Sequence, residues 1–169
     1  NIKVVCADIK PIEYWFQNFE NSENHSLDLK DYKNALKITE GVDYIFNFAC
    51  NMGGMGFIEN NKAECMQSVL INTNLLIACN ENKVQRYFFS SSACAYNKTK
   101  QEDVFIEGLK EEDAYPAEPE DGYGWEKLFS ERMYFAAKKN KGLEPRVARY
   151  HNIFGPEGSW DNGKEKAPA

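Results

Sequence analysis

Short apolar runs alternate with amphipathic stretches along most of this 169-residue chain. No other feature of the sequence restricts the fold as much. Runs of strand length occur at Ile2–Ala7, His25–Leu27, Tyr44–Phe48, Tyr87–Phe89 and Pro145–Tyr150. Between them lie helical patterns. Asp31–Thr39 carries apolar Tyr32, Ala35, Leu36 and Ile38 and is stopped by Gly41. A long helix is expected from Asn60 to Asn80, with Met66, Val69, Leu70, Leu76 and Ile77 as its apolar stripe. A further helix is expected from Tyr123 to Lys139. Residues 11–19 read as a short helix or loop, and Asn51–Phe57 as a glycine-rich loop. The acidic stretch with Glu102, Asp103, Glu107, Glu111, Glu112 and Asp113 reads as a polar loop. Strands separated by helices predict an α/β fold, a parallel sheet with helices on both faces.

Hydrophobic residues make up 43% of the chain and charged residues 27%, the balance of a soluble globular protein. The formal charge is −6 with no basic stripe, which argues against nucleic acid and membrane partners. Asn1–Val5 has no signal-peptide character, and no apolar run reaches membrane-spanning length. Five cysteines, an odd number without a C-x-x-C pair, point to a reduced, cytoplasmic protein. His25 and His151 lie outside any metal-ligand spacing, so no metal site is expected.

The chemistry-bearing residues lie in two segments. Arg86–Tyr96 is an apolar run that ends in Ser90-Ser91-Ser92, followed by Ala93 and Cys94. Asp121–Lys127 opens a helix with Tyr123 and Lys127 four apart, on one face. A hydroxyl at a strand end that faces a Tyr/Lys pair can take a proton off an alcohol while a cofactor takes the hydride. The spacing alone is weak, because chance yields about one such pair in a chain of this composition. Tyr96/Lys100 falls in a polar loop. Tyr134/Lys138 lies about 16 Å further along the same helix. Tyr123/Lys127 alone sits at a helix start, where open parallel sheets place their chemistry. Asp8 and Asp28 each follow an apolar run. There an acidic residue either binds adenosine ribose hydroxyls or simply caps a turn. Gly53-Gly54-Met55-Gly56 is either a loop that admits a ligand close to the backbone or a flexible turn.

Together, several segments resemble the extended short-chain dehydrogenase/reductase family of nucleotide-sugar enzymes, the NAD-dependent epimerases and dehydratases. These are Asn47–Ile58, Ser91–Tyr96, Pro116–Gly124 with Glu126-Lys127, Arg149–Pro156 and Lys164–Ala169. The Met-Gly-Gly-Met-Gly-Phe run, the Cys after Ser-Ser-Ala and the terminal Glu-Lys-Ala-Pro resemble the branch that epimerises GDP-mannose. Two departures stand out. The family begins with a strand and a glycine-rich turn that hold the NAD pyrophosphate, and it ends in a smaller substrate domain; this chain carries neither. It therefore resembles an internal fragment: residues 1–169 are expected to be a partial NAD-binding Rossmann domain, with the start of the substrate-binding region near 152–169. Asn97 also departs from the Pro or Gly usual after that Tyr.

The resemblance implies NAD as cofactor, a GDP-mannose-type nucleotide sugar as substrate and a homodimer at full length. It implies catalytic roles for Tyr123, Lys127, Ser92, Cys94 and Lys166. Asp8 and Asp28, with Tyr123 and Lys127, would bind the cofactor. Gly53, Ser92, Ala93, Cys94, Asn152, Glu165 and Lys166 would contact the substrate. Tyr123 would act as a base, its pKa lowered by Lys127 and the nicotinamide, and Cys94 would titrate near neutrality. The alternatives are a C4 epimerase, a 4,6-dehydratase, or a binding module without turnover. If the first Rossmann strand is absent, the strands at Ile2–Ala7 and Tyr44–Phe48 should flank a slot about 9–10 Å wide.

Overall fold

A computed structural model describes residues 2–102, 104–141, 143–156, 158 and 164. Five strands and five α-helices follow in chain order. They are β1 (Val4–Asp8), β2 (Ser22–Ser26), α1 (Tyr32–Ile38), β3 (Tyr44–Asn47), α2 (Met55–Asn60), α3 (Lys62–Met66), α4 (Ser68–Glu81), β4 (Arg86–Ser92), α5 (Asp121–Lys141) and β5 (Glu144–Tyr150). All pairings are parallel, with β1 beside β2 and the order β3-β4-β5 in a second sheet.

Local chemistry sets the helix boundaries. Asp31 caps α1, its Oδ1 accepting from Lys33 N at 2.9 Å, and Gly41 turns the chain away at φ +69°. Asn82, just after α4, donates to Leu36 O and Thr39 Oγ1, each at 2.8 Å, and so ties the ends of α1 and α4 together. The long helix expected from Asn60 to Asn80 is broken. Gln67 N shares the carbonyls of Ala63 and Glu64, a tightened turn that separates α3 from α4. The Gly-Met-Gly stretch is only partly loop, since Met55 already starts α2. The second strand starts earlier than expected, at Ser22. The serine cluster belongs to β4 itself, which runs through Ser92.

The main core lies on one face of the β3-β4-β5 sheet. Alternation along β4 turns Tyr87, Phe89 and Ser91 inward, where Leu75, Leu76 and Cys79 of α4, Tyr134 and Ala137 of α5 and Ala35 of α1 meet them. The other face carries a row of aromatic rings. Phe88 lies 5.7 Å from Phe46, 5.6 Å from Phe48 and 6.4 Å from Tyr150, centroid to centroid. Phe46 and Phe48 remain 68% and 58% exposed. Apolar residues on both faces mark a strand built to be covered on both sides. Among the described residues, the covering helices lie on the first face only.

The sheet divides between β1 and β3, which do not pair. In a Rossmann sheet of order 3-2-1-4-5-6, the pairs found here are 3-2 and 4-5-6, so the break falls at the place of the first strand. The architecture is Rossmann-like and parallel, as expected. No helix of the described residues is long and apolar enough to cross a membrane.

Candidate functional site

The carboxyl ends of β3 and β4 and the start of α5 surround a cavity of about 640 Å³. Its lining includes Gly53, Ser92, Ala93, Cys94, Tyr123, Lys127 and Asn152. Seven of the residues singled out from sequence thus meet at one place. Cys50, Met52, Glu120, His151 and Ile153 line it as well, without having been expected there. Glu165 and Lys166 lie outside the described residues. Asp8 and Asp28 stand at the ends of β1 and β2, outside the cavity lining. Each carboxylate accepts from the backbone two residues on, at 2.8 Å from Lys10 N and Lys30 N, the geometry of a turn cap.

β4 delivers Ser92 to the cavity, and a single 3₁₀ turn over Ala93–Ala95 follows at once. Ser92 Oγ accepts from Cys94 N at 3.2 Å and so shapes the turn that presents Cys94. The first turn of α5 packs against this segment. Glu120 N donates to the Cys94 carbonyl at 2.9 Å. Gly124 lies so close that a Cβ there would collide with the Cys94 carbonyl oxygen and carbon. This glycine brings Tyr123 beside Cys94, a role that its place within Tyr-Gly-x-x-Lys does not advertise. Gly53 is tight for another reason: a Cβ there would meet Phe57 at 2.8 Å and the Lys164 backbone at 3.1 Å.

Tyr123 and Lys127 lie one turn apart on α5, and both are buried. The Tyr123 hydroxyl approaches the Met52 sulfur at 3.6 Å. Lys127 Nζ donates to the Ser90 carbonyl at 3.0 Å and sits 5.5 Å from the Tyr123 ring centre and 4.8 Å from that of Phe89. The protonation expected of Tyr123 and Cys94 concerns the enzyme with its cofactor; in the chain alone both groups shift upward. Burial pushes the Tyr123 phenol well above its ordinary value, with Cys50, Cys94 and Glu126 adding to the rise and a hydrogen bond with Ser92 opposing it. Burial likewise raises Cys94, against a lowering by Ser92, and Glu120 raises it further. In the chain alone both groups rest in their protonated forms.

The other two Tyr/Lys pairs are structural. The Tyr134 hydroxyl is wholly buried, 2.8 Å from that of Tyr87 and 3.2 Å from the Asn72 carbonyl. Lys100 holds Asp113 at 2.7 Å in the loop beyond β4.

The site can position an alcohol between Ser92 and Tyr123, with a thiol beside it. The cavity opens at the strand ends, where a Rossmann sheet receives a dinucleotide, so the residues present fit NAD.

Known proteins resemble this chain in sequence and in fold. The model of the "NAD dependent epimerase/dehydratase family" matches residues 2–168. GDP-mannose 3,5-epimerase of Arabidopsis thaliana is 45% identical over 167 residues, which cover 98% of this chain and 44% of that protein. The chain therefore spans less than half the length of this curated relative. Among solved structures, a UDP-N-acetylglucosamine 4-epimerase from Methanobrevibacter ruminantium superposes with a TM-score of 0.75 at 25% identity, over 94% of this chain and 50% of that one. A UDP-glucose 4-epimerase from Thermotoga maritima gives 0.78 at 20% identity, over 93% and 50%, a likeness of fold. With the parallel sheet, the cavity at its carboxyl edge and the buried Tyr/Lys pair, these matches show that the chain belongs to the NAD-dependent epimerase/dehydratase family, whose cofactor is NAD.

Proposed function

We propose that this chain is the partial cofactor-binding domain of a nucleotide-sugar epimerase that converts GDP-mannose to GDP-L-galactose by inversion at C3 and C5. The observation that carries this reading is the convergence of Ser92, Cys94, Tyr123 and Lys127 on one cavity. A thiol beside the Ser/Tyr/Lys set is what an epimerase at carbons next to C4 needs, beyond the redox set alone. The identity to GDP-mannose 3,5-epimerases supports the choice of sugar.

When bound, NAD⁺ would supply a hydride acceptor and a positive charge that favours the phenolate form of Tyr123. The rest is the work of this chain. Ser92 hydrogen-bonds the C4 oxygen, and Tyr123, as the phenolate that the Lys127 ammonium and the cofactor's charge would favour, takes its proton. Lys127 anchors the α5 turn to β4 through the Ser90 carbonyl. A ketone at C4 makes the hydrogens on C3 and C5 acidic. Cys94 serves one face of the ring, and Lys166 the other. A thiol held protonated by burial is a proton donor in its resting state. Gly53, Ala93, Asn152 and Glu165 contact the sugar nucleotide. Asp8 and Asp28 bind the adenosine portion of the cofactor. The region near 152–169 begins the substrate-binding part, and the full-length enzyme works as a cytoplasmic homodimer.

The test is Cys94→Ala in the full-length protein, with GDP-mannose in deuterated water. Deuterium entry at C3 and C5 should fall about 10²–10⁴-fold on one face, the usual scale for an acid–base group. Reduction of bound NAD⁺ should persist, because Tyr123 and Lys127 are untouched. Undiminished exchange at both carbons removes Cys94 from the mechanism, and inversion at C4 alone assigns a C4 epimerase instead.

A further inference from the structure

The residue just before Lys127 is a glutamate that the reading above does not use. Glu126 and Lys127 are both almost wholly inaccessible, with side chains 0% and 1% exposed. Glu126 Oε1 is fully employed: Asn72 Nδ2 donates to it at 2.5 Å and Ser130 Oγ at 3.0 Å. Glu126 Oε2 is the buried side-chain oxygen that lacks any hydrogen-bond partner among the described residues. It lies 3.9 Å from Lys127 Nζ, beyond a hydrogen bond but within reach of an ion pair. An amide would serve Asn72 and Ser130 equally well. What a carboxylate adds is its second oxygen and its charge, and both are directed at Lys127.

A buried ammonium without a counter-charge is costly, and so is a buried carboxylate. Lys127 otherwise meets a carbonyl and two rings, none of which carries a full charge. We propose that Glu126 is a positioning residue: it is the buried counter-charge of Lys127, and through the Asn72 and Ser130 bonds it fixes the ammonium between α4, β4 and Tyr123. The inference rests on the reading of Tyr123 and Lys127 as the pair that moves the proton. Among the described residues, Glu126 acts on Tyr123 and Tyr134 of α5 and on Cys65 of α3, and Cys50 and Cys94 act in turn on Tyr123. Burial raises Glu126, whereas Lys127 lowers it. Loss of the ammonium should therefore move the protonation of Glu126 to higher pH.

The experiment follows the Glu126 carboxyl carbon by NMR in full-length protein labelled with ¹³C-glutamate, using Glu126→Gln to assign the signal. In Lys127→Met, Glu126 should take up its proton at a pH higher by on the order of one unit, the scale of an opposite charge within about 4–6 Å. An unmoved titration overturns the proposal. Turnover supplies a second readout. Glu126→Gln should shift the pH profile of kcat/KM. A profile unmoved in Glu126→Gln overturns the proposal. If no variant and no wild-type protein turns over GDP-mannose, the functional reading fails, while the titration still decides the ion pair. If the single variants do not fold, the double variant Glu126→Gln/Lys127→Met should be more stable than either, because neither charge is then left alone. A double variant no more stable than the weaker single one also overturns it.

Discussion

Tyr123→Phe keeps the ring that packs against Ile58 and Cys65 but removes the phenol proton. In the full-length protein, turnover should fall about 10²–10⁴-fold with NAD still bound; a near-normal rate would take the base role from Tyr123. Gly124→Ala makes a different point. Its methyl would run into the Cys94 carbonyl, which is backbone and cannot swing aside. The helix start must shift, at about 1–3 kcal/mol, the usual cost of overpacking. A urea midpoint equal to wild type would mean that α5 does not press on the Cys94 turn. Ser92, Cys94, Tyr123 and Lys127 were readable as letters in motifs. Glu126, Met52 and Cys50 stand in the same motifs without a legible role, because proximity to the phenol depends on where α5, β3 and its following loop meet. The rise at Tyr123 and Cys94 in the chain alone was out of reach for the same reason. A motif names the charged neighbour, whereas burial, the largest cause of both rises, belongs to the fold.

At the scale of elements, α5 is held to the sheet by a polar clamp as well as by its apolar face. Arg149 of β5 donates to both oxygens of Glu131, at 2.9 and 2.7 Å, and to the Glu111 carbonyl at 2.8 Å. Ser91 of β4 donates to the same carboxylate at 2.5 Å, and the Arg149 guanidinium lies 4.6 Å from the Tyr96 ring centre. Glu131 thus joins α5, β4, β5 and the loop beyond β4. Glu131→Gln leaves Arg149 without its counter-charge, and breaking such a buried pair costs about 3–5 kcal/mol. Chemical denaturation of the full-length variant measures this, and a loss under about 0.5 kcal/mol would reduce the clamp to a surface contact. Apolar periodicity located α1, α5 and the strands. It missed the break at Gln67, where the stripe continues through a turn that hydrogen bonding, not hydropathy, tightens.

The whole molecule is a sheet in two pieces with one face open. Phe46, Phe48, Phe154 and Ile153 are more than half exposed, and among the described residues β1 and β3 have no partner on the sides where the sheet divides. Exposed apolar surface on this scale is unusual for a protein that stands alone. The 169-residue chain by itself should bind a hydrophobic dye such as ANS strongly and melt without a sharp transition. A cooperative calorimetric peak with no dye binding would contradict this. The fold class and the order of strands and helices follow from patterns of two and three to four residues, which are local and survive in a linear string, and the family resemblance singled out the Ser/Tyr/Lys set. Three-dimensional packing decided which of the three Tyr/Lys pairs faces a cavity, which glycine permits the close approach, where Glu126 finds Lys127, and which groups stay protonated. Each of these depends on side chains tens of positions apart meeting in a space that excludes water, and distance and desolvation have no representation in spacing along the chain.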